Sequence, residues 1–163
     1  MFRLSAEPII TSLAAKNLCN PRAGAMVVFE GWVRNHHEGR EVRHLEYEAY
    51  PALCVKEAFA LEQEVFKNFD IIELSCIHRT GLCEIGAMAV WVGVTAEHRG
   101  PAYAASEFYM NQLKVRLPIW KKETYIQGHS EWVRCEACAE HAHEHQDHDS
   151  GKHHHPSGEH HRH

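Results

Sequence analysis

An α+β domain with a mixed, largely antiparallel sheet is the fold class this sequence predicts. Three observations lead there. Apolar, β-branched runs such as 87–95 alternate with segments of helical period such as 51–69. Short Gly-containing turns join some of the runs directly, which makes hairpins, while helices join others, which makes crossovers. At 163 residues the chain suits one domain with a full core. The expected division is a folded unit over 1–134 and a Cys/His-rich tail over 135–163.

The elements follow in order. Residues 2–5 predict a short first strand and 8–18 a short helix ended near Asn20-Pro21. The run 24–33 is rich in Val, Phe and Trp and predicts a strand buried on both faces. It leads through the polar loop 34–40 into 42–49, whose alternation predicts a half-exposed strand and a hairpin with the first run. Pro51 sits where a first-turn proline belongs. Val55, Ala58, Phe59, Glu62, Val65 and Phe66 then predict the inward face of a helix to about Phe69. Strands are predicted over 71–78 and 87–95, with a turn at Arg79-Thr80-Gly81. His98-Arg99-Gly100-Pro101 opens a helix on which Ala105, Tyr109, Leu113 and Leu117 form the core line. Pro118 ends that helix near Arg116 or Leu117, and strands follow over 119–126 and 130–133.

Charge and composition narrow the function. The formal charge is −5, and the segment 139–163 alone carries five acids and two bases. Nothing here suits general nucleic-acid binding. No apolar run reaches the ~20 residues of a membrane span. The first residues have an acid and a proline where a signal peptide has an apolar run, so a cytoplasmic protein is expected. Cys19, Cys54, Cys76 and Cys83 read as small buried thiols.

The densest chemistry lies around Pro118. Lys114 on the last helical turn and Lys121 on the next strand would reach one space from two rigid elements, an arrangement suited to a small anion. Arg34, His98 and Arg99 also end apolar elements, and Arg99 would add the free N–H groups of a helix start. Together these predict a pocket for a phosphorylated small molecule. His78-Arg79 is expected to hydrogen-bond its turn, and His36 and His37 to be solvated.

The stretches 29–36 (Phe-Glu-Gly-Trp-Val-Arg-Asn-His), 45–51 (Leu-Glu-Tyr-Glu-Ala-Tyr-Pro), 77–81 (Ile-His-Arg-Thr-Gly), His98-Arg99, Leu113-Lys114 and 118–123 (Pro-Ile-Trp-Lys-Lys-Glu) resemble the large, catalytic subunit of molybdopterin synthase. The similarity runs in order over about 24–133. It implies an α/β-hammerhead fold and a homodimer at the centre of a heterotetramer. It further implies a small ubiquitin-like sulfur carrier as partner, whose C-terminal Gly-Gly ends in a thiocarboxylate. Cyclic pyranopterin monophosphate is the implied substrate, and the dithiolene of molybdopterin the implied product of this sulfurtransferase. By motif position Lys114 and Lys121 are the catalytic lysines, and Trp32, Val33, Arg34, His98, Arg99, Lys122 and Glu123 the substrate-binding residues. No cofactor is implied for the chemical step. Trp32 departs from the family's usual basic residue, and its ring is expected to pack.

The tail is a separate matter. Ten of the sixteen histidines follow residue 140, among acids, Ser and Gly. Such a segment is expected to be disordered when metal-free. Cys135 and Cys138 with His141, His143 and His145 form a candidate site for Zn, Ni or Cu. The alternative function is accordingly a metal-handling protein on a synthase-like body.

Overall fold

The computed structural model describes residues 1–134. The tail, with Cys135, Cys138, His141, His143 and His145, lies outside the described residues.

The chain runs β1 (Phe2–Ser5), α1 (Thr11–Lys16), β2 (Ala25–Trp32), β3 (His36–His37), β4 (Arg40–Ala49), α2 (Pro51–Asn68), β5 (Glu73–Arg79), β6 (Gly81–Glu84), β7 (Met88–Ala96), α3 (Arg99–Arg116), β8 (Ile119–Tyr125) and β9 (Ser130–Arg134). Two sheets result. The first has the order β1-β5-β7-β2, and the second runs β3-β4-β8-β9 with β6 also paired to β4. Among the described residues only β1 and β5 pair in parallel, and the other pairs are antiparallel. The predicted α+β class with a mixed, largely antiparallel sheet is therefore the observed one.

The core lies between the first sheet and the helices and continues onto the second sheet through Val42, Leu45, Tyr47, Ile119 and Tyr125. β7 is buried from Ala89 onward, and α3 buries Ala105, Tyr109 and Leu113 against it, with Leu117 beyond the helix end. That is the core line the four-residue spacing predicts. α2 turns differently. Its buried residues are Cys54, Ala58, Leu61 and Val65, while Val55, Phe59 and Phe66 stay exposed. Both lines have helical spacing and differ by about one position, so periodicity alone did not choose between them. Packing against α3 and β1 did.

Three further expectations give way. β2 is not buried on both faces: Met26, Val28, Phe29 and Trp32 are exposed, because β2 is the last strand of its sheet. β2 does not form a hairpin with β4 either. It pairs with β7, and the hairpin partner of β4 is the short β3, through the two-residue turn Glu38-Gly39. Both turn residues have positive φ, 47° and 75°, which matches the twist of a tight hairpin. Cys19 is exposed, whereas Cys54, Cys76 and Cys83 are buried thiols. The strands β3 and β6 are additions to the predicted order, both too short to carry a periodic signal.

Among the described residues no helix is long and apolar enough to cross a membrane.

Candidate active site

Pro118 separates α3 from β8 as predicted: α3 stops at Arg116, Leu117 is already extended, and β8 begins at Ile119. The break aims two lysines at one place. Lys114 and Lys121 both line a cavity of about 170 Å³ between the two sheets. Its walls are Phe29, Gly31 and Trp32 of β2, His78 of β5, Ala89 and Val90 of β7, Met110 and Leu113 of α3, and Tyr47 and Ile119 of the second sheet.

Gly31 is required for this geometry. A Cβ there would come 2.6 Å from the Val90 side chain. The β2–β7 register also shifts between Gly31 and Trp32, and such an irregularity re-aims the following side chain. Trp32 emerges 65% exposed at the cavity, so the expected packing of its ring is not what the chain does. Its indole N–H donates to Glu30 Oε2 at 3.2 Å, and Thr11 donates to the other oxygen of the same carboxylate.

The two lysines have different surroundings. Lys114 is exposed on the final turn of α3. Lys121 is mostly covered and donates to Glu123 Oε1 at 2.8 Å. Strand alternation puts Ile119, Lys121, Glu123 and Tyr125 on the inner face of β8. Glu123 is 1% exposed and also accepts from the Tyr125 hydroxyl. Burial pushes its carboxyl upward, but the bonds from Lys121 and Tyr125 outweigh this and hold it below the ordinary range. Arg40 continues the chain outward. It stacks 3.9 Å over the Tyr125 ring, donates to its oxygen at 2.9 Å and forks onto Glu131 at 3.0 and 3.1 Å.

The remaining predicted residues are not in the cavity wall. Val33 has its side chain in the core, and its backbone N–H and C=O bond Ala87 and Gly86. Arg34 is exposed, with its guanidinium 3.4 Å from His37 Nδ1. Lys122 lies on the opposite face of β8, 5.5 Å over the Trp132 ring. Glu123 faces inward onto Lys121. His98 and Arg99 open α3, and Lys114 stands fifteen residues further along it. At 1.5 Å per residue that is roughly 22 Å. Within one chain the two ends of α3 therefore cannot grip the same small molecule, and the pocket expected from all five cations does not close.

His78 and Tyr47 are cavity residues that sequence reasoning did not place there. The predicted turn contact is present: His78 Nδ1 donates to Arg79 O at 2.8 Å, and Arg79 donates to Leu82 O at 3.2 Å. The His78 ring meets Tyr47 edge-on at 5.1 Å. Burial pushes the imidazole down to about 4, against a partial rise from the backbone bond, so it is neutral at pH 7. A cue existed in the sequence, since His78 lies near the end of a buried strand and within the motif 77–81. Among the described residues no three His, Cys, Asp or Glu side chains converge as metal ligands.

Known proteins share this framework. A family model described as "MoaE protein" matches residues 4–116. The molybdopterin synthase catalytic subunit of Staphylococcus carnosus is 38% identical over 132 residues, which cover 81% of this chain and 87% of that one. The X-ray crystal structure of molybdopterin synthase from Staphylococcus aureus superposes with a TM-score of 0.75 at 37% identity, covering 81% of this chain and 96% of that chain. A complex of subunits 1 and 2 of molybdopterin-converting factor from Helicobacter pylori shares the fold at a TM-score of 0.66 and 20% identity, over 82% of this chain and 88% of that chain. On the family match, the identity and the shared sheets that carry the lysine cavity, the chain belongs to the MoaE family.

Proposed function

We propose that this chain works as a molybdopterin synthase catalytic subunit, moving sulfur from the thiocarboxylate of a small carrier protein to cyclic pyranopterin monophosphate. One observation carries the reading: two lysines from different rigid elements line one small cavity with otherwise apolar and aromatic walls. In such a site cations stabilise developing negative charge more than they would in water. Lys114, exposed at the cavity, is the group for the carrier's anionic terminus. Lys121, held in place by Glu123, is the general acid or base for the oxygen that sulfur replaces. No metal or cofactor enters the step.

The 22 Å length of α3 supports the homodimeric part of the reading. His98 and Arg99 reach a lysine cavity only if it belongs to a second copy, where they and Arg34 would hold phosphate and pterin. The Helicobacter pylori protein, solved as a two-subunit complex, supports a small-subunit partner. A cytoplasmic location fits a soluble substrate and carrier. The metal-handling alternative rests on the tail, and the described residues lend it no ligand set.

The test is reconstitution. The full chain and a version ending at Arg134 are mixed with cyclic pyranopterin monophosphate and thiocarboxylated carrier, and molybdopterin is read as its fluorescent oxidised derivative. Product from both is expected. No product from either, with metal held by the full chain alone, would reverse the assignment.

A further inference from the structure

A ligand that brings N–H groups into this cavity needs an acceptor, and lysines in their ammonium form can only donate. Among the side chains lining it, Tyr47 and His78 alone carry a strong acceptor atom. For His78 the geometry selects which atom. Its Nδ1 is 2.8 Å from the Arg79 carbonyl, so Nδ1 carries the proton and Nε2 carries the lone pair. The ring is locked twice, by that bond and by the edge-on Tyr47 ring at 5.1 Å. It is 5% exposed, so water competes poorly for the ring's other nitrogen.

We propose that His78 is a substrate-binding residue whose Nε2 accepts a hydrogen bond from an N–H on the pterin ring of the substrate. This rests on the function proposed above and deepens it, since nothing in that reading uses His78. The neutral state that burial imposes on the ring suits the task, because an imidazolium would have no acceptor to offer. A pterin fits better than the carrier's tail. The tail's terminus is an anion, served by the lysines. The pterin is a flat heterocycle edged with N–H donors, matched to walls such as Phe29, Trp32 and Met110.

Two substitutions separate this role from a turn anchor. His78→Asn can keep an N–H near Nδ1 for Arg79 O and removes the acceptor at Nε2. His78→Gln places an amide oxygen near Nε2 and gives up the bond to Arg79. Binding of cyclic pyranopterin monophosphate, and separately of the carrier, is measured by calorimetry on the full chain. The expected result is pterin affinity weakened about five- to a hundredfold in His78→Asn, recovered within about twofold of the original chain in His78→Gln, with carrier affinity unchanged in both. Wild-type pterin binding by His78→Asn with weak binding by His78→Gln would overturn the proposal and leave a turn anchor. Lost carrier affinity in His78→Asn would move the acceptor to the tail, and overturn it too. Should either variant unfold, ¹⁵N spectra of the unaltered chain decide: Nε2 must shift upfield as the pterin binds, and an unmoved signal refutes the contact. If the unaltered chain binds no pterin, the function proposed above fails with it.

Discussion

His78 in the first sheet and Glu123 in the second are two buried titratable groups near one cavity, made tolerable in opposite ways. The first sheet removes the charge. Burial keeps the His78 imidazole neutral, down to about 4 from an ordinary 6.5, with its Nδ1–H donated to a backbone carbonyl. The second sheet keeps the charge and surrounds it. Glu123 stays ionised because Lys121 and Tyr125 donate to it, and Arg40 and Glu131 extend the chain to the surface. The difference teaches that the cavity receives a fixed acceptor from one side and a fixed cation from the other, and neither depends on solvent.

The largest expected effect breaks the cation side. Lys121→Ala and Lys114→Ala should each lower molybdopterin formation about 10²–10³-fold. Their stabilities should differ: Lys121→Ala leaves Glu123 without its ammonium and lowers Tm, whereas Lys114→Ala leaves Tm unchanged. Equal Tm losses would erase the contrast between a held and a free lysine.

Acid titration sharpens the comparison next. An unfolded imidazole binds a proton near 6.5, the folded His78 only near 4. Between those values the unfolded state holds more protons, so stability falls as pH drops from about 6.5 to about 4 and then levels. The drop is on the order of 3 kcal/mol. His78→Asn should flatten that window in urea titrations followed by circular dichroism. Glu123 acts lower. Its folded carboxyl lies below the ordinary 4.5, so its stabilisation is complete above about 4.5 and lost as pH falls through the folded value. Glu123→Gln should cost about 2 kcal/mol at pH 7, leaving Lys121 without a counter-charge, and should remove this low-pH loss instead. A variant that altered the other's window would show the two groups coupled.

Smaller effects follow. Gly31→Ala must displace the Val90 side chain and should cost about 1–2 kcal/mol, with a larger effect on KM than on kcat if only the wall moves. Arg40→Ala removes an exposed fork onto Glu131 and should leave product formation within about twofold of wild type. A tenfold loss would mean that the outer end of the charge chain sets Lys121.

Much of the fold is legible along the chain because it depends on local chemistry. Pro118 fixes the α3–β8 break, and the four-residue spacing of Ala105, Tyr109 and Leu113 fixes what α3 buries. The spacing on α2 is less decisive, since two adjacent lines are both apolar and only the neighbours of Cys54 and Leu61 choose. Strand partners are less legible still. Residues 24–33 carry apolar side chains at almost every position, which reads as a central strand, yet β2 ends its sheet.

The candidate site divides along the same line. Lys114 and Lys121 were readable because seven residues and one proline place them, and their joint cavity depends on little beyond α3 and β8. The family motifs marked Trp32, Val33, Arg34, His98, Arg99, Lys122 and Glu123, but a motif records position along the chain rather than direction. Alternation on β8 turns Glu123 inward and Lys122 outward, the core takes Val33, and the length of α3 carries His98 and Arg99 away from the lysines. Sequence by itself determined the class, the family and the lysine pair. Tertiary structure alone decided that His78 lines the cavity as a buried, neutral ring and that Glu123 holds Lys121, because both depend on desolvation and on partners from strands whose pairing no local pattern encodes.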